Sequence, residues 1–239
     1  MHIRFTHQTS PEAAGAAIAE QFEAGVPYVH AQGLPFAELE SGLQADYVRR
    51  ASQAIGKVTL GSDAPDSDVW RLDRDTDPMM CAIPFRTDNA FYETPERFIG
   101  LWCVQSAAIG GENRLLAVDD LLNYGGSASV CRNLIEEAGK IPVTFTDGKH
   151  RATAPILDLD AGTTRFSRAH VIKEDADLAG RFSSLLATDI ERLSSVVRLQ
   201  PGEALLYDNH RMFYGRRSYS YRDRLALRTR ILDLSTARP

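Results

Sequence analysis

The chain has 239 residues, 44% hydrophobic and 25% charged, with 32 acidic against 27 basic side chains and a formal net charge of -5. A chain of this size can bury a substantial core as one large domain, and its acidic balance argues against nucleic acid or an anionic membrane as a partner. Three cysteines (Cys81, Cys103, Cys131) without CxxC spacing argue against a disulfide framework or a zinc knuckle, and with no run near the roughly 18 apolar residues of a membrane span and no export signal in Met1 to His7, a reduced, soluble, cytoplasmic protein is expected.

Pro11 to Ala24 reads as a helix, with Ser10 as its cap, Pro11 in the first turn and Gly25 as its stop. Val26 to His30 is extended in character, and Pro27 argues for an edge position if it is a strand. A second helix is expected over about Phe36 to Ile55, where Leu39, Leu43, Tyr47, Val48 and Ala51 recur at helical spacing. Ser62 to Ser67 reads as an acidic loop, and Asp73, Asp75 and Asp77 as a solvated turn. Val69 to Phe91 is strand-like and broken by Pro78 and Pro84.

Arg97 to Ala107 is the strongest strand, closed by a turn at Gly110-Gly111 and continued by Leu115 to Val118. Asp119 to Tyr124 and Val130 to Ala138 read as helices, Val143 to Phe145 and Thr153 to Leu159 as strands, and Leu178 to Ser195 as a long helix. The last third, Val196 to Asp233, reads as short strands punctuated by Pro201-Gly202 and Asp208-Asn209. With no internal repeat or linker, one domain over 1-239 is expected. It would have an N-terminal helical part of about 1-60 and a core of many short strands over about 69-233, hence a barrel or sandwich.

Four segments carry chemistry. A 2-His-1-carboxylate triad holds iron from three neighbouring positions, and residues two apart on a strand share a face, so a ligand-x-Asp pair on one strand needs only one distant partner. Pro84-Phe85-Arg86-Thr87-Asp88-Asn89 has the position and spacing of such a pair. Gly110-Gly111-Glu112-Asn113 follows a buried strand. Pro201 to Asn209 leads into His210-Arg211-Met212-Phe213-Tyr214-Gly215-Arg216, and Arg224 to Arg228 closes the series.

In this order the four segments resemble the TauD/TfdA-like (clavaminate-synthase-like) iron(II)/2-oxoglutarate oxygenases over roughly 69-233. The resemblance implies a mainly β fold with flanking helices around a double-stranded β-helix, jelly-roll-like and cupin-type. It places the three metal-ligand positions on Arg86, Asp88 and Tyr214. It also places the co-substrate hydrogen-bonding position on Asn113, and the anion-binding arginine on Arg228, with Arg224 as the other candidate.

Arginine offers no lone pair to a metal, and tyrosine ligates iron only after losing a proton with an ordinary pKa of about 10. The expectation is therefore a small-molecule enzyme doing metal-independent acid–base chemistry on a small acidic or amino-acid-like metabolite. Asp88 would be the base, Tyr214 the acid and Arg86 the charge stabiliser. No cofactor is expected in that case.

The first alternative is an iron(II)/2-oxoglutarate oxygenase with unusual ligands: Asp88, Tyr214 and a relocated His210. The second is a non-catalytic binding protein for an acidic ligand. The partner is in each case an anionic small molecule. His150, His170, Trp70, Arg165 and Arg168 read as packing or surface residues, with lining of the pocket as the alternative.

Overall fold

A computed structural model of the chain describes residues 1–60, 67–73, 81–125, 129–188, 190–220 and 224–234. Residues 62–66 of the acidic loop expected over Ser62 to Ser67, and Asp75, Asp77 and Pro78, lie outside the described residues. In chain order the strands that build the two main sheets are β1 (His2–Arg4), β2 (Tyr28–Gln32), β3 (Gly56–Val58), β4 (Val69–Leu72), β5 (Ile83–Arg86) and β6 (Phe98–Gln105). They continue with β7 (Asn113–Ala117), β8 (Ser195–Val197), β9 (Glu203–Asp208), β10 (Met212–Arg216) and β11 (Leu225–Leu234). The helices are α1 (Pro11–Glu23), α2 (Ser41–Ile55), α3 (Val118–Gly125), α4 (Ser129–Lys140) and α5 (Ala176–Ala187).

The larger sheet runs β1-β2-β9-β6-β11-β3, with β4 also paired to β11, and the smaller runs β8-β7-β10-β5. Alternation along each strand explains how they stack. On β6, Phe98 and Trp102 face the cluster formed with α1 and α2, while Ile99, Leu101 and Cys103 face the smaller sheet. On β10, Phe213 packs toward α4 and α5, while Met212 and Tyr214 face the larger sheet. The layers are therefore helices, sheet, sheet, helices, with the site in the middle gap. This is the expected mainly β, jelly-roll-like arrangement with flanking helices.

Ser10 caps α1 as its chemistry suggests, accepting from the Ala13 amide at 3.2 Å. Gly25 follows at φ +83°, a conformation that favours glycine.

Four expectations need correction. β2 is no edge: it pairs with β1 on one side and β9 on the other. Pro27 is harmless because it precedes the strand and only its carbonyl is used, by the Asp208 amide at 2.9 Å. The first 60 residues also supply three strands, two at one edge of the larger sheet and one at the other.

The second helix starts late. A 3-10 turn over Pro35–Glu38 ends at Leu39, and α2 begins at Ser41 after Gln44 has turned its amide onto the Leu39 carbonyl at 2.9 Å. The long helix expected over Leu178 to Ser195 stops at Ala187, because Ser195–Val197 is drawn into the smaller sheet against β7. Among the described residues no helix is long and apolar enough to cross a membrane.

Candidate functional site

β5 carries Arg86 to the end of the smaller sheet, where it pairs with Tyr214 of β10. Beyond it the backbone of Asp88 is fixed by Asn209, which follows β9. The Asp88 amide donates to Asn209 Oδ1 at 2.7 Å, and Asn209 Nδ2 donates to the carbonyls of Asp88 (3.1 Å) and Glu96 (2.9 Å). Asn89, next in the chain, takes φ +54°, which asparagine tolerates better than most residues. The carboxylate of Asp88 is thereby aimed into the gap between the sheets.

There it meets arginine. Arg228 of β11 places Nη2 2.5 Å from Asp88 Oδ2, and Tyr207 of β9 donates its hydroxyl to the same oxygen at 3.0 Å. Arg86 Nη2 stands 3.8 Å from the other oxygen, Oδ1. Burial alone would raise the Asp88 pKa. The guanidiniums of Arg228, Arg86 and Arg230 outweigh it and hold the group at about 2. Arg228 is pushed upward in turn: burial opposes its charge, and Asp88 restores it.

Tyr214 is stacked on Tyr207, with centroids 5.4 Å apart and planes at 3°, and donates its hydroxyl to Asn113 Oδ1 at 3.1 Å. Asn113 is oriented by its own amide on the Val197 carbonyl at 3.2 Å. Burial raises the pKa of Tyr214, with Arg224 and Arg216 pulling the other way.

Arg86, Asp88, Tyr214, Arg224 and Arg228 line one cavity of about 150 Å³, together with Trp70, Tyr207 and Arg216. The guanidiniums of Arg228 and Arg230 lie over the Trp70 ring at 5.9 and 5.4 Å. A second cavity of about 270 Å³ shares Arg86, Asp88 and Arg228 as its wall and adds Phe91, Asp147, Ser167, His170 and Arg230.

The sequence-derived set is thus largely brought together. Asn113 sits one layer back, against Tyr214. His210 is not part of it. Asp208 to Arg211 is a turn, so residues 210 and 214 do not share a strand face. The His210 ring meets the Pro95 carbonyl at 3.1 Å in a separate groove. Arg165 is committed to the carbonyls of Tyr92 and Glu93, whereas Trp70 and His170 do line the cavities. Sequence reasoning missed Tyr207: in Ala204-Leu205-Leu206-Tyr207 it passes for another core residue, although the alternation puts it on the same face as Leu205.

Acid–base work by Asp88 and Tyr214 gains nothing from this geometry. A carboxyl held near 2 is a weak base at neutral pH, and a phenol raised by burial is a weak acid.

Neither family models nor curated proteins match the sequence, but solved structures match the fold. Asparagine oxygenase in complex with Fe(II), 2S,3S-3-hydroxyasparagine and succinate superposes with TM-score 0.73 at 16% identity, over 92% of this chain and 78% of that one. The non-heme iron oxygenase OrfP with Fe and alpha-ketoglutaric acid gives 0.68 at 14% identity, over 97% and 93%. PvcB from Pseudomonas aeruginosa gives 0.64 at 17%, over 91% and 81%. The chain has the TauD/TfdA-like iron/2-oxoglutarate oxygenase fold.

These structures correct the expectation that no cofactor is used. Neighbours on the same fold hold iron together with succinate or alpha-ketoglutaric acid, and so point to iron(II) and 2-oxoglutarate. The mistaken expectation came from judging the metal positions alone, whereas an oxo acid's carboxylates need only guanidiniums, which this cavity has.

The two parts of that pair fare differently here. A dicarboxylate fits the chemistry of the arginine-lined cavity. A ferrous ion does not fit the donor set: Asp88 is engaged by Arg228 and Tyr207, Tyr214 is a protonated phenol, and no cluster of three or more His, Cys, Asp or Glu that could hold a metal occurs among the described residues.

Proposed function

We propose that the cavity binds a small dicarboxylate of the 2-oxoglutarate class, with Arg228 and Arg224 as its anchors. We propose further that the protein handles a second small molecule in the adjoining outer cavity. The observation that carries this reading is the charge of the lining: four arginines (Arg86, Arg216, Arg224, Arg228) face one carboxylate, Asp88. Guanidinium groups bind carboxylates through paired, charge-assisted hydrogen bonds, and partial burial between two sheets strengthens each of them.

Calorimetric titration with 2-oxoglutarate and with succinate tests the reading. Saturable binding that is lost in Arg228→Ala and weakened in Arg224→Ala is expected. Failure of both compounds to bind the folded protein sinks it.

The fold neighbours favour a second, more specific reading, in which the bound 2-oxoglutarate is turned over by an oxygenase. Loading with ferrous iron without oxygen, followed by aeration and assay for succinate, separates the two. Stoichiometric succinate supports the oxygenase, and binding without any turnover leaves the dicarboxylate site as the function.

A further inference from the structure

The ligand's carboxylate has a rival already in place. Arg228, the arginine best positioned to anchor an anion, is occupied by Asp88 at 2.5 Å, and Tyr207 holds the same carboxylate oxygen from the facing side. Resting on the dicarboxylate reading above, we infer that Asp88 is an internal competitor that a ligand carboxylate displaces from Arg228, and that Arg86 receives Asp88 when it leaves.

Three observations carry this. The exchange conserves charge, one carboxylate for another on the same guanidinium, so no buried cation is left bare at either end. Arg86 already stands 3.8 Å from Asp88 Oδ1, too far for a hydrogen bond but one small rotation from contact. Its buried Nε has no hydrogen-bond partner among the described residues. Finally, Arg86, Asp88 and Arg228 form the shared wall of the inner and outer cavities, so the exchange rearranges the partition between them.

The ligand class follows. A carboxylate is needed to replace a carboxylate, and a second anionic group would engage Arg224 at the other side of the inner cavity, which gives a short dicarboxylate.

The test uses succinate as probe, in buffer containing a chelator. Succinate lacks the oxo group through which 2-oxoglutarate chelates a metal, so stray ions contribute nothing. Removing the competitor's charge in Asp88→Asn should tighten succinate binding by about tenfold or more. Tyr207→Phe removes a hydroxyl that holds Asp88 on the Arg228 side and should tighten binding several-fold; it carries the test if Asp88→Asn fails to fold. Arg86→Ala should weaken binding in the wild type, and the weakening should vanish in the Asp88→Asn background.

Succinate bound by Asp88→Asn about tenfold or more tightly than by the wild type supports the competitor. Succinate affinity unchanged or weakened in Asp88→Asn and Tyr207→Phe overturns the competitor while leaving the dicarboxylate site intact. An Arg86→Ala loss that persists in the Asp88→Asn background overturns the role given to Arg86. No succinate or 2-oxoglutarate binding by any folded form overturns the competitor and the proposed function together.

Discussion

Two buried aspartates, Asp88 and Asp208, sit at opposite ends of the same Asn209-centred network and are both paired with arginine, yet they are built for different ends. Asp208 closes a turn. One of its oxygens accepts the His210 amide at 3.0 Å and the other meets Arg97 Nε at 3.2 Å, with the Arg97 side chain 40% exposed. Asp88 closes nothing with its side chain. Its carboxylate is satisfied by Arg228 and Tyr207, both side chains bordering a cavity. A carboxylate that bonds backbone amides is part of the fold, whereas one held by side chains can be exchanged for another anion.

The contrast can be broken most severely at Arg228. Arg228→Ala leaves Asp88 buried with only the more distant Arg86 and Arg230 for compensation. A loss of about 4 kcal/mol is expected in urea unfolding, along with loss of dicarboxylate binding. Next comes Asn209→Ala, which orphans the amide and carbonyl of Asp88 and the carbonyl of Glu96. A loss of about 3 kcal/mol is expected by the same measurement, with affinity falling because the Asp88 backbone is no longer fixed.

Acid probes the pair more gently. Asp88 has a folded-state pKa of about 2 against an ordinary 3.8, so its stabilisation is complete above the unfolded value and is lost as pH falls from about 4 to about 2. The difference is worth about 2 kcal/mol. Melting curves of wild type and Asp88→Asn across that window should converge, and parallel curves would show that Asp88 is not the group responsible. The smallest effect belongs to Arg97→Ala. Asp208 stays buried but keeps the His210 amide, and Arg97 is itself partly exposed, so about 1 kcal/mol should be lost and binding should be unchanged.

The ease of reading this site from sequence follows the same division. Arg86, Asp88, Tyr214 and Arg228 were legible through the resemblance of their segments to the oxygenase motifs; Arg86, Tyr214 and Arg228 lie on strands, whereas Asp88 lies in the turn that follows β5. The register pairs Tyr214 with Arg86. His210 entered only the alternative oxygenase reading, which needed a regular strand from 210 to 214; a turn lies there instead, and the ring sits in a separate groove. Tyr207 was invisible because a tyrosine in an apolar strand looks like core until the partner of its hydroxyl is known.

At the level of the fold, Gly25 and Ser10 marked the ends of α1 unaided, since caps act locally. The placement of β2 inside the larger sheet and the early end of α5 are set by pairing with strands about 170 and 80 residues away, which no local signal encodes. The cofactor was misjudged for a different reason: the residues at the metal positions alone decided that expectation, although the anion-binding arginines Arg224 and Arg228 were already legible.

The chain's two tryptophans fall on opposite sides of this organisation. Trp102 is wholly buried with its indole N–H on Thr229 at 3.2 Å, in the cluster against α1 and α2, whereas Trp70 lines the inner cavity under the guanidiniums of Arg228 and Arg230. The molecule therefore contains its own optical gauge. A ligand that pulls Arg228 toward itself changes the charge above a single indole, so the emission of Trp70 should report occupancy of the site without any label, against the constant background of Trp102.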